Sequence, residues 1–346
     1  MQKKNKWKII NIKIYFYLFL NYLIYVTFKR QLDKDDYFFP SFVNENMSLI
    51  KSKILRYPKL SDLKLNYFGK CGEVFKYKKN NKRDLVMFAY NPTKFDFYSN
   101  RSLLIYIVID SIKKNIPKAK IICFIPNKSG YSFVNKIMEK NKILIIKKDF
   151  SHMQLVSGRF LYEYEYLKKN INSYDRIIHA DLIDIFFLSD IFKTLKPNEL
   201  IINKECGEYS AFGAKGNFIF KHPNDIRWFN RSFGDNKPLE NILKRINPMV
   251  INAGLIMGDS KEYFKFLDIM ISNFNYTKAL DYGYDQMLIN VLYYTGKMSS
   301  VNIKFDLCTQ RSCFIPNLIF NRKNKSLYYK NGCSPVLIHK RYPIYY

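Results

Sequence analysis

The residues with the clearest chemical potential are two carboxylates at the end of a hydrophobic run. The predicted strand at residues 176–180, whose centre is apolar, leads into Asp181, and Asp184 follows three positions later. Carboxylate oxygens are natural ligands of hard divalent cations, and such cations neutralise the charge of a departing phosphate group. The alternative is structural, because aspartates at a strand end also form turns and cap helices. The pair therefore predicts either a cation site or a turn.

Two later segments carry polar side chains suited to a hydroxylated ligand. Asn252 offers both a hydrogen-bond donor and an acceptor, and Gly254 would let the backbone approach a ligand closely. Asp285 and Gln286 stand at the start of a predicted helix, where they could bind ligand hydroxyls. Each segment also has a structural interpretation, namely a strand with a bulge for the first and a helix cap for the second.

A histidine followed by two cations lies near the C-terminus. His339 ends an apolar run, and Lys340 and Arg341 come next. An imidazole can bind a metal ion and the cations can hold a diphosphate, although a single histidine is more often structural. His179 is a weaker candidate ligand, because it lies two positions before Asp181 and residues two apart share one face of a strand.

Alternating strands and helices would position these residues. The predicted strands are residues 85–90, 119–125, 143–146 and 176–181, and the predicted helices are residues 102–114, 132–140 and 158–169. This alternation predicts an α/β domain with a mainly parallel central sheet and helices on both faces. Ligands of such sheets bind at the carboxyl ends of the strands, which is where Asp181 and Asp184 lie.

The composition argues for a packed domain and against a nucleic-acid-binding protein. The 346 residues are 48% hydrophobic, which is ample for a core, and they carry a formal net charge of +28. A basic charge of this size is typical of proteins that bind nucleic acid. Lysine is spread along the whole chain, however, and no zinc-finger spacing, basic zipper or RNA-binding aromatic signature is present. We therefore expect no nucleic acid among the partners.

The N-terminal residues 1–30 look like a cytoplasmic tail and a signal anchor. A lysine cluster precedes a mostly apolar run at residues 14–28, and Lys29 and Arg30 close it. This pattern predicts a transmembrane helix with the rest of the chain in the lumen, as a single-pass type II membrane protein of the Golgi or the ER. A cleaved signal peptide is the alternative, but residues 25–28 lack the small residues of a cleavage site.

The remainder of the chain divides into two predicted regions. Residues 31–80 are charged and irregular, which predicts a stem, and residues 81–346 form the predicted globular domain. Asn-X-Ser/Thr sequons and the even number of cysteines, 6, are compatible with an oxidising lumen. The pairing of these cysteines cannot be deduced from the sequence.

Taken in order, these segments resemble the nucleotide-diphospho-sugar transferases of the GT-A fold, including the family 8 glycosyltransferases. Residues 181–192 resemble the signature D-V-R-D-V-V-F-Q-x-D-P-F of a eukaryotic branch, with matches at Asp181, Asp184 and Phe187. Glu205 and Trp228 then fall where that branch has similar residues, and the N-A-G segment (residues 252–254), the D-Q pair (residues 285–286) and His339 follow in the order of that family. Ile183 departs from the pattern, because the signature has arginine there. The resemblance covers about residues 85–341.

The resemblance implies a metal-dependent glycosyltransferase. It would transfer a hexose from a nucleotide sugar, with a UDP-sugar as the favoured donor, to a glycan or glycoprotein, and it would retain the anomeric configuration. The implied cofactor is Mn²⁺ or Mg²⁺, with Asp181, Asp184 and His339 as its ligands. The residues implied to bind the nucleotide sugar are Asp181, Arg159, Gly254, Lys340 and Arg341. The residues implied to face the donor sugar and the acceptor are Asn252, Asp285 and Gln286.

Three other functions stay open at this point. The isoleucine at position 183 suits a non-catalytic sugar-binding protein that kept the fold but lost turnover. Paired carboxylates also serve hydrolases. The basic charge leaves a nucleic-acid-binding protein as the least favoured hypothesis.

Overall fold

A computed structural model describes residues 62–92, 100–129, 133–205, 218–306, 311–312, 314, 318–321 and 323–340, with the main chain alone at residues 100–103 and 133. All of them belong to residues 57–346, the second of the two units into which the chain divides. The helices are α1 (Asn100–Asn115), α2 (Phe133–Lys140), α3 (Leu155–Asn170), α4 (Pro223–Phe233), α5 (Lys237–Ile246), α6 (Ser260–Ser272) and α7 (Tyr284–Tyr294). The strands are β1 (Lys64–Leu65), β2 (Asp84–Ala89), β3 (Lys120–Pro126), β4 (Leu144–Lys148), β5 (Arg176–Asp181), β6 (Ile185–Phe187), β7 (Leu200–Lys204), β8 (Ile251–Asp259), β9 (Ile303–Asp306), β10 (Ile319–Asn321), β11 (Ser326–Tyr328) and β12 (Leu337–His339).

The strands and helices predicted between residues 85 and 181 are all present, with ends that shift by at most three residues. Their strands are short apolar runs, as expected for a sheet that is covered on both sides. In β2, the neighbouring residues Val86 and Met87 point to opposite faces of the sheet, and both are fully buried. Both faces of the sheet are therefore packed.

The central sheet has seven strands in the order β4-β3-β2-β5-β8-β7-β9. Every neighbouring pair is parallel except the two pairs that include β8, which is antiparallel to both β5 and β7. The architecture is thus α/β with a mainly parallel sheet, as the alternation of strands and helices predicted.

The reversed direction of β8 decides which residues meet at the edge of the sheet. Because β8 runs against β5, its first residues lie beside the last residues of β5, and Leu255 pairs with Ala180. On the other side, Ile251 pairs with Lys204 at the end of β7. The N-A-G segment at residues 252–254 is therefore placed next to Asp181.

A separate two-stranded sheet brings the C-terminal residues to the same edge. Strand β12 pairs with β6 in antiparallel register, with His339 opposite Ile185. The next main-chain hydrogen bond runs from the amide of Lys340 to the carbonyl oxygen of Asp184, at 2.8 Å. The acidic motif and the terminal histidine are thus neighbours in space.

Residues 62–80, which are the described part of the predicted stem, pack on this domain. Strand β1 pairs with β11, and Cys71 forms a disulfide with Cys333. The guanidinium of Arg176 also donates hydrogen bonds to the carbonyl oxygens of Lys78 and Lys79, at 2.7 and 2.9 Å. These residues are part of the folded domain because their main chain completes its hydrogen bonds, whereas residues 31–61 lie outside the described part of the chain.

None of the helices in the described ranges has both the length and the apolar character needed to cross a membrane. This finding corrects the prediction of a transmembrane helix, and with it the prediction of a single-pass type II protein of the Golgi or the ER. Residues 1–30, on which that prediction rested, lie outside the described residues.

Candidate functional site

The guanidinium of Arg159, which lies on the buried face of α3, is the centre of the site. It donates hydrogen bonds to the carboxylate of Asp181 and to that of Asp285, the second at 3.3 Å. It also donates to the carbonyl oxygen of Ala253, at 3.1 Å. One buried side chain therefore ties together the end of β5, the start of β8 and the start of α7.

The two carboxylates that Arg159 binds have different electrostatic surroundings. Burial alone would raise the pKa of Asp181, but the charges of Arg159 and Lys340 outweigh it and lower this pKa to about 2. For Asp285 burial dominates over the attraction of Arg159, and its pKa is raised. Asp181 is the more exposed of the two, so it presents a fixed negative charge to the site.

Lys340 lies between the two aspartates of the acidic motif. Its Nζ atom is 2.7 Å from Asp184 Oδ2 and 3.7 Å from Asp181 Oδ2. Burial would lower the pKa of Lys340, but the two carboxylates raise it, so that the side chain is charged. The backbone of Lys340 has a φ angle of 75°, in the left-handed region that non-glycine residues seldom adopt. This conformation accompanies the turn that directs Lys340 back towards the acidic motif.

The imidazole of His339 is fully buried, and neither of its ring nitrogens has a hydrogen-bond partner among the described residues. Burial, opposed by the charge of Asp181, lowers its pKa to about 3, so the ring is neutral. A Cβ atom built on Gly254 would lie 2.5 Å from Asp181 Oδ2, 3.0 Å from His339 Nε2 and 3.1 Å from Asn252 Oδ1. Three atoms that could ligate a cation therefore surround the space that a side chain at position 254 would fill.

These contacts bear on the predicted metal ligands. Within the described residues, no group of three or more His, Cys, Asp and Glu side chains is arranged to hold a metal ion. Asp181 and His339 do face one space beside Gly254, and an unpartnered buried imidazole next to a carboxylate fits a divalent cation. Asp184 differs, because its carboxylate is paired with Lys340. The structure thus brings together two of the three predicted ligands, Asp181 and His339, whereas Asp184 forms an ion pair with Lys340.

A network of amides and carboxylates lies next to this space. Asn252 Nδ2 donates to Glu205 Oε1 at 2.8 Å, and Gln286 Nε2 donates to the same oxygen at 3.2 Å. Gln286 Nε2 also lies 3.5 Å from Asp225 Oδ1 on α4. Asn290 fixes the start of β8, since its side-chain amide bonds both the amide and the carbonyl of residue 251. All of these side chains are buried, so their positions are set by the fold rather than by solvent.

His179 is not available as a metal ligand. Its Nδ1 atom lies 2.8 Å from Glu163 Oε1, and its Nε2 atom lies 3.1 Å from the carbonyl oxygen of Ala253. Tyr263 donates a hydrogen bond to the same glutamate, and Phe160 stacks on the imidazole with ring centroids 4.6 Å apart. Both ring nitrogens are thus used inside the core, which agrees with the structural interpretation of this histidine.

The predicted site residues that the structure describes all lie at this edge, whereas Arg341 lies outside the described residues. Two buried acidic residues were missed from the sequence. Glu163 had a usable signal, because it follows Arg159 by four positions and so shares a helix face with it. Asp225 had none, since an aspartate near the start of a helix looks like an ordinary charge at a helix terminus.

No protein-family model matches the chain, and no curated protein matches it. The function of the chain therefore has to be argued from the geometry and the chemistry of the site itself.

Proposed function

We propose that this protein is a glycosyltransferase that moves a hexose from a nucleotide sugar to a glycan or glycoprotein acceptor. One observation carries the proposal. At the carboxyl end of β5, the charged group formed by Asp181, Lys340 and Asp184 adjoins the amide and carboxylate network of Asn252 and Gln286. The first group has two carboxylates and one ammonium, so it would suit a diphosphate together with a divalent cation, and the second would suit sugar hydroxyls. The position at the carboxyl ends of parallel strands and the α/β architecture are compatible with nucleotide-sugar binding.

The leaving diphosphate would be stabilised by charge. Lys340 is one-third exposed, so its ammonium group can contact a ligand while Asp184 holds the side chain in place. Arg159 is buried and cannot reach a ligand in this arrangement. Its role would be to hold Asp181 ionised and oriented, and we therefore assign it a positioning role instead of the direct donor contact expected from the sequence.

A divalent cation fits the space beside Gly254. Asp181 and His339 would hold Mn²⁺ or Mg²⁺ there, and the bound cation would neutralise the charge that develops on the diphosphate. The absence of a Cβ atom at position 254 keeps this space open. Asp184 is assigned a different role from the predicted one, because its carboxylate orients Lys340.

The donor sugar would lie over the buried network. Asn252 Nδ2 and Gln286 Nε2 both donate to Glu205 Oε1, which fixes the orientation of the two amide groups. Asn252 Oδ1 borders the space beside Gly254, where it would accept a hydrogen bond from a sugar hydroxyl. Such preorganised groups favour one arrangement of sugar hydroxyls over others. Retention of the anomeric configuration remains our prediction, and NMR of the product would test it.

Hydrolysis by two carboxylates is less well supported by the geometry. That reaction needs one carboxyl group free to donate a proton and a second one free to attack or to activate water. Asp181 and Asp285 instead share the guanidinium of Arg159, and Asp184 is paired with Lys340. Transfer that relies on electrostatic stabilisation of the leaving group requires neither of these free groups.

Donor turnover tests the proposal. The purified full-length chain would be incubated with UDP-glucose, UDP-galactose, their N-acetylhexosamine counterparts and GDP-mannose, with Mn²⁺ or with EDTA. We expect release of nucleoside diphosphate from one donor, and its loss in Asp181→Asn. We also expect Lys340→Ala to lower the rate by about 10²-fold or more, as when one preorganised donor group is removed from a transition state.

The control is Asp175→Asn, because Asp175 lies just before β5 at the opposite end of that strand and its side chain forms an exposed ion pair with Arg83. This variant should keep the wild-type rate. If the folded wild-type chain releases no nucleoside diphosphate from any donor, the transferase proposal is refuted and a non-catalytic sugar-binding protein takes its place.

A further inference from the structure

Two aromatic side chains that the donor site does not use lie at its rim. Tyr282 is 54% exposed, and its ring meets the indole of Trp228 edge to face, with centroids 5.6 Å apart. Trp228 is itself only partly buried, and it packs against Gly283 so closely that a Cβ atom at that position would collide with the indole. Gly283 has a φ of 90°, so glycine satisfies both the turn and the close contact.

The chain connects these aromatic residues directly to the buried network. Gly283 is the N-cap of α7, whose first turn carries Asp285 and Gln286. Trp228 lies one turn of α4 after Asp225, the residue next to Gln286 Nε2. The aromatic pair therefore borders the region where the donor sugar and the diphosphate would meet.

We infer that Trp228 and Tyr282 form a platform that binds a pyranose ring of the acceptor glycan. The inference rests on the proposed function in one respect, namely that the bound sugar is taken to be the acceptor. A pyranose presents an apolar face of C–H groups, which packs on an aromatic ring, and hydroxyls around its edge, which need polar partners. Aromatic walls with a few fixed polar groups are the usual composition of small-ligand sites.

The position of the platform favours a sugar over the base of the nucleotide. Nucleotides bind at the carboxyl ends of parallel strands, and the run of adjacent parallel strands that ends at Asp181 is β4, β3, β2 and β5. The platform is carried by α4 and by the turn before α7, the helix that packs on β8. It thus lies on the other side of Asp181 from β2 and β3, where the acceptor would approach the donor sugar.

The sequence offers a direct spectroscopic test. Trp7 and Trp228 are the two tryptophans of the chain, so Trp228 is the sole indole in a full-length Trp7→Phe variant. The wild-type chain would first be applied to a glycan array, and the glycans that bind would then be titrated into the Trp7→Phe variant. We expect saturable binding that changes the fluorescence of Trp228.

Three further variants distinguish glycan binding by the platform from the effect of removing any exposed tyrosine. Tyr282→Ala should weaken glycan binding by about tenfold, which is the size expected when an aromatic anchor is truncated, whereas Tyr282→Phe keeps the ring and should retain binding. Tyr276→Ala is the matched control, because Tyr276 is equally exposed at 53% but its ring packs on Phe274. It should bind glycan like the wild type.

Each adverse result has one meaning. The inference is overturned if no array glycan binds the wild-type chain, or if Tyr282→Ala binds glycans normally. It is also overturned if UDP alone changes the fluorescence of Trp228 and Tyr282→Ala weakens UDP binding, since the platform would then hold the base. Failure of the proposed function is a separate outcome, in which glycans bind through Tyr282 but the wild-type chain turns over no nucleotide sugar.

Discussion

Replacing Arg159 by methionine should destabilise the domain more than almost any other single change. Methionine removes the charge but keeps much of the length of the side chain. The guanidinium is 4% exposed, and its partners Asp285 and Asp181 are 5% and 23% exposed. Breaking a buried ion pair by removing one partner costs about 3–5 kcal/mol, because the other charge is left uncompensated in a poorly solvated place.

The structure indicates where this cost falls. Asp181 keeps Lys340 as a second cation and is partly solvated, so it should lose less stabilisation than Asp285 when Arg159 is removed. Asp285 forms no ion pair with another lysine or arginine of the described residues, and the carbonyl of Ala253 loses a donor. We therefore expect a loss of about 4 kcal/mol in the free energy of unfolding.

Urea unfolding followed by circular dichroism would measure this loss, with a midpoint that falls by roughly 1 M. The matched control is Arg83→Met, since Arg83 pairs with Asp175 at 2.8 Å but both side chains are 51% exposed. That change should cost less than about 1 kcal/mol. Adding Asp285→Asn to the Arg159→Met variant should recover about 1–2 kcal/mol, because it removes the unpaired buried charge.

Two results would refute this reasoning. One is a loss below about 1 kcal/mol for Arg159→Met, similar to that of the exposed control. The other is an Asp285→Asn substitution whose effect is the same with and without Arg159, since the two groups would then not interact in the folded state.

Three further predictions concern pH, the disulfide and one turn. The pKa of the Asp181 carboxyl is near 4 in the unfolded chain and about 2 in the folded one, so this group should contribute about 2 kcal/mol to stability. The contribution should be complete above about pH 4 and be lost as the pH falls through 2. Asp181→Asn should abolish this loss in urea titrations. Cys71→Ser removes a crosslink between residues 262 positions apart and should cost about 3 kcal/mol, which thermal unfolding with and without reductant would check. Gly283→Ala should cost about 1–3 kcal/mol in the same assay, because alanine is strained at a φ of 90° and its Cβ atom meets Trp228; an unchanged melting temperature would contradict this.

Local pattern was enough to predict the strands and helices up to residue 181. An apolar run such as Lys120–Pro126 ends at a proline, and its residues are buried on both sides of the sheet. Helix α3 likewise shows an apolar face in the sequence. These features depend on residues that are close together in the chain, so the local pattern of apolar side chains indicates which positions are buried.

The identity of the candidate site residues could also be predicted, because polar side chains at the ends of apolar runs stand out. Their contacts could not be predicted. The pairing of Lys340 with Asp184 joins residues 156 positions apart, and it depends on the register between β12 and β6. The resemblance in the sequence accordingly implies that Asp184 is a metal ligand, and the sequence gives no ion-pair partner for it.

Sequence alone therefore determined that an acidic strand end, an N-A-G segment, a D-Q pair and a terminal histidine exist, and that the domain is α/β. The direction of β8, which runs against its neighbours and places Gly254 beside Asp181 and His339, became known from the fold. The fold also places Arg159 beneath the site and His179 in the core. The physical reason is that burial of single elements is a local property of sequence, whereas strand direction and charge pairing are set by packing between distant segments.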